Sequence, residues 1–291
     1  MKLYTLFIII AACIVGALVA GCGSSSSDHA PVYEAKETTT YKLEYIPVTS
    51  AKEGKTSYKI RLTSKSTGNT VPGKTIALAA KMTMATMTHS TPMTALTDNG
   101  DGTYSGTAYY VMASVDASGA SMGTWELTFT VDGESATFNP LVAMSMGSVA
   151  KLKGVTDTIG SMMGMGTTSR TYQVFNDGIS GTTAKLFITA VDDAMMMTFP
   201  AVSVGTTLHN AMSMAVPVTA MSVEVSTDKS TWIALADSGN GYWTKSGLAS
   251  MAAGSTLYVR LTVNGEQKTT DGKVVAADGS NGYQTLTVAG M

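Results

Sequence analysis

The stretch GTWELTFTVDGE, residues 123–134, decides the fold class of this chain. Its large apolar residues, such as Trp125, Leu127 and Phe129, occupy alternate positions, as they do in a β-strand with one buried face. Asp132-Gly133 follows directly, and both central residues of a tight hairpin turn need the positive φ that Asp and Gly tolerate. The stretch therefore predicts a half-buried strand that enters a β-hairpin.

The same pattern recurs along the chain. STLYVRLTVNGE (residues 255–266) alternates in the same way and reaches a turn signal at Asn264-Gly265, while TSYKIRLTS (residues 56–64) alternates without one. LTDNGDGTY (residues 96–104) matches LADSGNGYW (residues 235–243), and each precedes its strand-turn unit by a similar distance. After the N-terminal segment we find no amphipathic helical stretch of useful length. These features predict an all-β protein with two tandem immunoglobulin-like β-sandwich domains.

Composition divides the chain further. The segment SMGSVAKLKGVTDTIGSMMGMGTTS is rich in Gly, Ser and Met, which favours a linker. We therefore predict, in order, a signal peptide at 1–21, a tether at 22–39, a first sandwich at 40–143, a linker at 144–167 and a second sandwich at 168–291.

The N-terminus carries an export signal. Met1-Lys2 is basic, Leu3 to Val19 is almost continuously apolar, and LVAGC (residues 18–22) resembles the lipobox of bacterial lipoproteins. In that family the cysteine becomes the lipidated first residue, so Cys22 is the expected lipidation site. An ordinary secretory signal peptide and an uncleaved anchor are the alternatives. Because Gly23 is not aspartate, the usual inner-membrane retention signal is missing, and we expect lipid anchoring in the bacterial cell envelope, at the outer membrane.

Cysteine and charge exclude several classes of function. Cys13 lies in the signal and Cys22 would carry lipid, so the mature domains hold no disulfide and no thiolate ligand. A formal net charge of −2 gives no electrostatic reason to expect nucleic acid as a partner. With only His89 and His209 in the folded part, and no nucleophile elbow or phosphate-binding loop, we do not expect an enzyme.

Methionine is the most unusual part of the composition, with 20 residues in 291. KMTMATMTHSTPM (residues 81–93) places Met82, Met84, Met87 and His89 close together. Residues i and i+2 of a strand project from one face about 6.5 to 7 Å apart, so flexible thioethers can converge there. Thioether sulfur is soft and prefers Cu(I), and imidazole also suits copper. These four residues are the predicted Cu(I) ligands.

Strand parity complicates this site. On one continuous strand, Met82 and Met84 would face one side, and Met87 and His89 the other. A bulge or turn near Ala85-Thr86 would bring all four to the same side.

The sequence holds a second group of methionines, and packing in the core is an alternative role for methionine. LHNAMSM supplies His209, Met212 and Met214, with the same difference of parity. Methionine is also an adaptable core filler, and we expect packing for Met195 to Met197. The methionines between residues 162 and 165 fit either a linker or a ligand role.

The first sandwich also resembles a known family. GNTVPGKTIAL (residues 68–78), the Met/His stretch, GDGTY and SMGTWELTFTV (residues 121–131) follow one another as in the YtkA-like/FixH-like domains. This resemblance covers residues 40–143 and implies a small exported immunoglobulin-like sandwich linked to copper handling or oxidase assembly. The second copy matches only in its turns.

Two functions follow as hypotheses. The first is an envelope lipoprotein that binds Cu(I) through its Met/His cluster and holds or transfers the ion. The alternative is a structural or adhesion module, without metal, whose immunoglobulin-like domains contact another envelope protein. Convergence of Met82, Met84 and His89 at a surface or cleft would favour the first function, and separate burial of the methionines would favour the second.

Overall fold

The computed structural model describes residues 34–161, 166–192 and 198–289. The predicted signal peptide, Cys22 and the methionines at 162–165 and 195–197 lie outside these ranges. Within them, no helix is long and apolar enough to cross a membrane. The described chain is all-β and consists of immunoglobulin-like β-sandwiches, as the sequence predicts.

The first sandwich is built from nine strands in two antiparallel sheets. One sheet has the order β1-β2-β3-β7-β6 and the other β5-β4-β8-β9. The strands are β1 (Glu34–Glu37), β2 (Tyr41–Pro47), β3 (Gly54–Ser64), β4 (Ile76–Thr83), β5 (Thr88–His89), β6 (Thr97–Asp98), β7 (Thr103–Tyr110), β8 (Thr124–Val131) and β9 (Glu134–Phe138).

The second sandwich follows the same plan. Its sheets have the orders β10-β11-β12-β18-β17 and β16-β15-β19-β20, with β21 also paired to β19 and β13 paired to β14. The strands are β10 (Val149–Gly160), β11 (Thr167–Ser180), β12 (Thr183–Ala190), β13 (Thr207–His209), β14 (Ala215–Pro217), β15 (Met221–Ser226), β16 (Ile233–Ala234), β17 (Ala236–Asp237), β18 (Tyr242–Lys245), β19 (Thr256–Val263), β20 (Glu266–Gln267) and β21 (Gln284–Thr287).

The two hairpin signals of the sequence are confirmed. Asp132 and Gly133 have φ of 48° and 82°, and Asn264 and Gly265 have φ of 50° and 79°. Each pair joins two neighbouring antiparallel strands, β8 to β9 and β19 to β20. The alternating apolar residues of β8 and β19 are buried, which places both strands against a core.

The matched turns LTDNGDGTY and LADSGNGYW fold alike. In the first, Asp98 Oδ1 accepts the Gly100 amide at 2.8 Å, and in the second Asp237 Oδ1 accepts the Gly239 amide at 2.7 Å. Each turn joins a two-residue strand to the strand it pairs with, β6 to β7 and β17 to β18. The internal repeat is therefore present in the structure as well as in the sequence.

Two segment predictions are wrong. Strand β10 lies inside the predicted linker at 144–167, where Ala150 and Leu152 are buried in the core of the second sandwich. The alternation of these residues with Lys151 and Lys153 was hidden by the many Gly, Ser and Met residues around it. Strand β1 occupies part of the predicted tether at 22–39, because its backbone pairs with β2.

The two sandwiches pack directly on one another. Tyr109 of β7 stacks on Phe187 of β12 with ring centroids 4.2 Å apart, and its hydroxyl donates to Asp177 Oδ1 of β11 at 2.7 Å. Lys55 Nζ of β3 lies 2.8 Å from the same Asp177 oxygen. Phe175 also joins the core of the first sandwich. We call these five residues the domain junction, and they make the two sandwiches one packed unit.

Candidate functional site

A tight turn in the Met/His stretch resolves the parity problem. β4 and β5 pair with Met82 opposite His89, and the Met84 amide donates to the Met87 carbonyl at 2.9 Å. The chain reverses at Ala85-Thr86, where the sequence required a bulge or turn. Because directly opposed residues share a face, the register places Met82, Met84, Met87 and His89 on the same side of the sheet.

The first two thioether side chains approach one another at Gly123. A Cβ at this glycine would lie 2.8 Å from Met82 Cε and 3.0 Å from Met84 Cγ. The missing side chain leaves the room that both methionines occupy. Met82 is fully buried, whereas Met84 and Met87 are half-buried. The cluster therefore extends from the core toward solvent.

His89 has a defined tautomer. Its Nδ1 lies 3.0 Å from the Ser90 carbonyl oxygen, which can only accept, so Nδ1 carries the hydrogen. Burial lowers the pKa of His89 and outweighs the raising effect of the Ser90 hydrogen bond, so the neutral ring is favoured. In that form the lone pair is on Nε2.

Met112 is a site residue that the sequence did not reveal. Its Sδ lies 3.2 Å from His89 Nε2. A thioether has no hydrogen to donate, so two lone-pair atoms face one another. A soft cation bound by both atoms from one side of this contact would turn it into an attraction. Met112 follows β7 in a sequence with no Met-x-Met or Met-x-His pattern, so no local signal marks it.

The site borders the domain junction. The His89 ring lies edge-on to Trp125, with centroids 5.2 Å apart, and 6.2 Å from Phe199, which belongs to the second sandwich. His89 itself is only 4% exposed. In the described part of the chain, no group of three or more His, Cys, Asp or Glu side chains could hold a metal. Any ion bound here would therefore depend on sulfur.

Comparison with known proteins identifies no family for this chain. No protein-family profile matches the chain, and no curated protein does. Among solved structures it is similar to FdeC, an Escherichia coli adhesin, with 16% identity, coverage of 85% of this chain and 64% of the adhesin, and a TM-score of 0.24. A chimeric titin Z1Z2-Z1Z2 tandem shows 11% identity, coverage of 84% and 98%, and a TM-score of 0.19. Titin domains Z1Z2 in complex with telethonin show 9%, 89% and 98%, and 0.18.

A second feature lies on the outer face of the second sandwich. Trp232, Tyr258 and Tyr283 form a cluster of half-buried rings, with Tyr258 and Tyr283 edge-on at 5.4 Å. The Arg260 guanidinium lies 4.4 Å from the Trp232 ring centroid, and Lys229 Nζ lies 4.8 Å from that of Tyr258. We call these five residues the aromatic patch.

The strand alternation explains why the aromatic patch faces solvent. Leu257, Val259 and Leu261 of β19 point into the core, so Tyr258 and Arg260 between them point outward. The equivalent strand β8 carries only Glu and Thr at its outward positions. Trp, Tyr and Arg are the residues that protein interfaces favour most.

Proposed function

We propose that this protein is a lipid-anchored envelope protein that acts as an interaction module, using the aromatic patch to bind the surface of another protein. The observation that carries this proposal is the aromatic patch itself. In a chain with few aromatic residues, three rings and two cationic side chains are gathered on an outward sheet face. Burying them in the core would have been the ordinary use.

The domain junction supports the same function. Its stacked rings and its buried carboxylate hold the second sandwich in a fixed orientation on the first. A fixed orientation reduces the entropy lost on binding, because fewer relative positions of the domains must be ordered. Lipid at Cys22 would place the first sandwich near the membrane and leave the aromatic patch on the domain farther along the chain.

Site-specific photo-crosslinking tests this proposal. A photoreactive residue at Thr285, which pairs with Tyr258 and is exposed, borders the aromatic patch, and one at Thr128 on β8 is the matched control. In cells that produce the protein we expect one discrete protein adduct from position 285 and none from 128. Arg260→Glu should abolish the adduct; because it also removes the ion pair of Arg260 with Glu224 at 2.9 Å, circular dichroism must verify that the domain stays folded. An adduct that survives Arg260→Glu, or equal adducts at both positions, would refute the proposal.

A second candidate function is Cu(I) binding at the β4–β5 hairpin, with copper as the cargo. The hairpin register favours it, since Met82, Met84, Met87 and His89 share one face, and Met112 faces His89 Nε2. Neutral thioethers and a neutral imidazole match the preference of Cu(I) for soft donors. Because these donors are uncharged, an ion held by them can pass by ligand exchange to a partner with a matching site.

Anaerobic Cu(I) titration of the full chain in detergent tests this second function. His89→Ala and Met112→Leu should each weaken binding at least tenfold. Met251→Leu is the matched control, because Met251 is buried in the core of the second sandwich. Unchanged affinity in the double variant His89→Ala/Met112→Leu would remove this site.

A further inference from the structure

Trp125 lies beside the donors around His89, although its indole N–H can only donate. We propose that Trp125 is the positioning residue of this site. Its N–H fixes the backbone at Met112 and its ring limits the orientation of the His89 imidazole, so that Met112 Sδ and His89 Nε2 face one another. This inference rests on the second candidate function, Cu(I) binding, and adds to it the residue that assembles the donor pair.

The strand register places Trp125 in one row with two of the donors. Met82 of β4 lies opposite His89 of β5 on one side and opposite Trp125 of β8 on the other. Directly opposed residues share a face of the sheet, so all three side chains point the same way. The rings of His89 and Trp125 are in contact, with centroids 5.2 Å apart and an angle of 81° between their planes. Packing against the indole therefore limits the orientations that the imidazole can adopt.

The indole N–H reaches the other donor through the backbone. Trp125 Nε1 donates to the Met112 carbonyl oxygen at 3.1 Å. Met112 lies after the end of β7, so strand pairing does not fix its backbone. The hydrogen bond from Trp125 therefore sets the point from which the Met112 side chain extends, and Met112 Sδ lies 3.2 Å from His89 Nε2.

The indole is itself held firmly. Trp125 is fully buried, the Tyr110 ring lies edge-on to it at 5.1 Å, and Asn139 Nδ2 donates to the Trp125 carbonyl at 3.0 Å. A buried indole N–H needs an acceptor, and here the acceptor belongs to the residue whose sulfur faces His89. Groups that orient the ligands of a metal without touching it typically change the affinity by about 10- to 100-fold. A fixed indole can therefore control the affinity of the donor pair.

Methyl-labelled methionine and Ag(I), a redox-inert substitute for Cu(I), test this inference in the full chain in detergent. In the unmodified chain we expect Ag(I) to shift the Met112 methyl signal together with the ring signals of His89. Trp125→Phe keeps an aromatic ring but removes the N–H, so it should weaken the Ag(I) affinity by about tenfold. It should also reduce the Met112 shift more than the His89 shift. Replacing Trp125 with 3-benzothienylalanine, which carries sulfur in place of the N–H and keeps the shape of the indole, should have the same effect without leaving a cavity.

Ser114→Ala is the matched control, because it also removes one buried side-chain hydrogen bond from this segment. In that bond the Val142 amide donates to Ser114 Oγ at 3.0 Å. The control should lower the urea midpoint and leave the Ag(I) affinity unchanged. An unchanged Ag(I) affinity in the 3-benzothienylalanine variant would overturn the positioning role of Trp125 and leave metal binding in place. No response of Met112 and His89 to Ag(I) in the unmodified chain would overturn both.

Discussion

The domain junction predicts a measurable coupling between two residues of different sandwiches. Tyr109→Phe removes only the hydroxyl that donates to Asp177 at 2.7 Å, and it keeps the ring stack on Phe187. Both residues are almost fully buried, and the acceptor is charged. Hydrogen bonds of this kind contribute about 1.5 to 3 kcal/mol, and burial of both partners favours the upper half of that range.

A double-mutant cycle that combines Tyr109→Phe with Asp177→Ala isolates the free energy of this hydrogen bond. Asp177→Ala also leaves two lysines without their carboxylate, but that effect is the same whether or not the Tyr109 hydroxyl is present, so it cancels in the cycle. Lys55 lies 2.8 Å from Asp177 Oδ1, and Lys185 lies 2.8 Å from Oδ2 without the alignment of a hydrogen bond. Urea unfolding followed by tryptophan fluorescence and by circular dichroism should give a coupling of about 2 kcal/mol, with coincident transitions.

The control cycle uses Tyr41 and Asp132, a pair within the first sandwich whose groups meet at 2.6 Å near solvent. Its coupling should be clearly smaller than that of Tyr109 and Asp177. A coupling at the junction within the roughly 0.5 kcal/mol that independent sites show, or two separate unfolding transitions, would refute the reasoning that the sandwiches form one packed unit.

Three further predictions follow from other parts of the structure. Burial lowers the pKa of His89, so below a pH of about 6.5 the unfolded chain binds more protons than the folded chain. The stability of the folded chain should therefore be full above that pH and decline as the pH falls, by up to about 1.4 kcal/mol per pH unit. His89→Gln should flatten this pH dependence in denaturation curves. Gly239 and Gly241 both have φ of 80°, but a Cβ meets nothing within 4 Å at Gly239 and lies 2.7 Å from the Ile188 carbonyl oxygen at Gly241. Gly239→Ala should therefore cost about 1 kcal/mol and Gly241→Ala at least about 2 kcal/mol more, and equal losses in unfolding free energy would contradict this. Met82→Leu keeps volume and should cost less than about 1.5 kcal/mol of stability, so that a loss of Cu(I) affinity in this variant measures the thioether rather than the packing.

Local signals in the sequence are sufficient to predict the fold class. Alternation in GTWELTFTVDGE and STLYVRLTVNGE predicted β8 and β19, and the Asp-Gly and Asn-Gly pairs predicted their turns, because each signal depends only on neighbouring residues. The sequence does not predict strand β10, because the Gly, Ser and Met residues around it favour a linker over the short alternation of Ala150 and Leu152 with lysines. The domain junction could not be predicted either, since Tyr109 and Asp177 are far apart in the chain and neither belongs to a motif.

The Met/His stretch shows where sequence reasoning about a site ends. The sequence predicts that Met82 and His89 share a face if a turn falls between them, and the structure has this turn at Ala85-Thr86. No local sequence signal indicates that Met112 faces the same ring at 3.2 Å, or that Phe199 approaches this ring from the other sandwich. These two neighbours fix the environment of Nε2, because one offers sulfur and the other excludes water. The chemistry of a site built on one hairpin is thus decided by residues that only the packing of the whole chain brings to it.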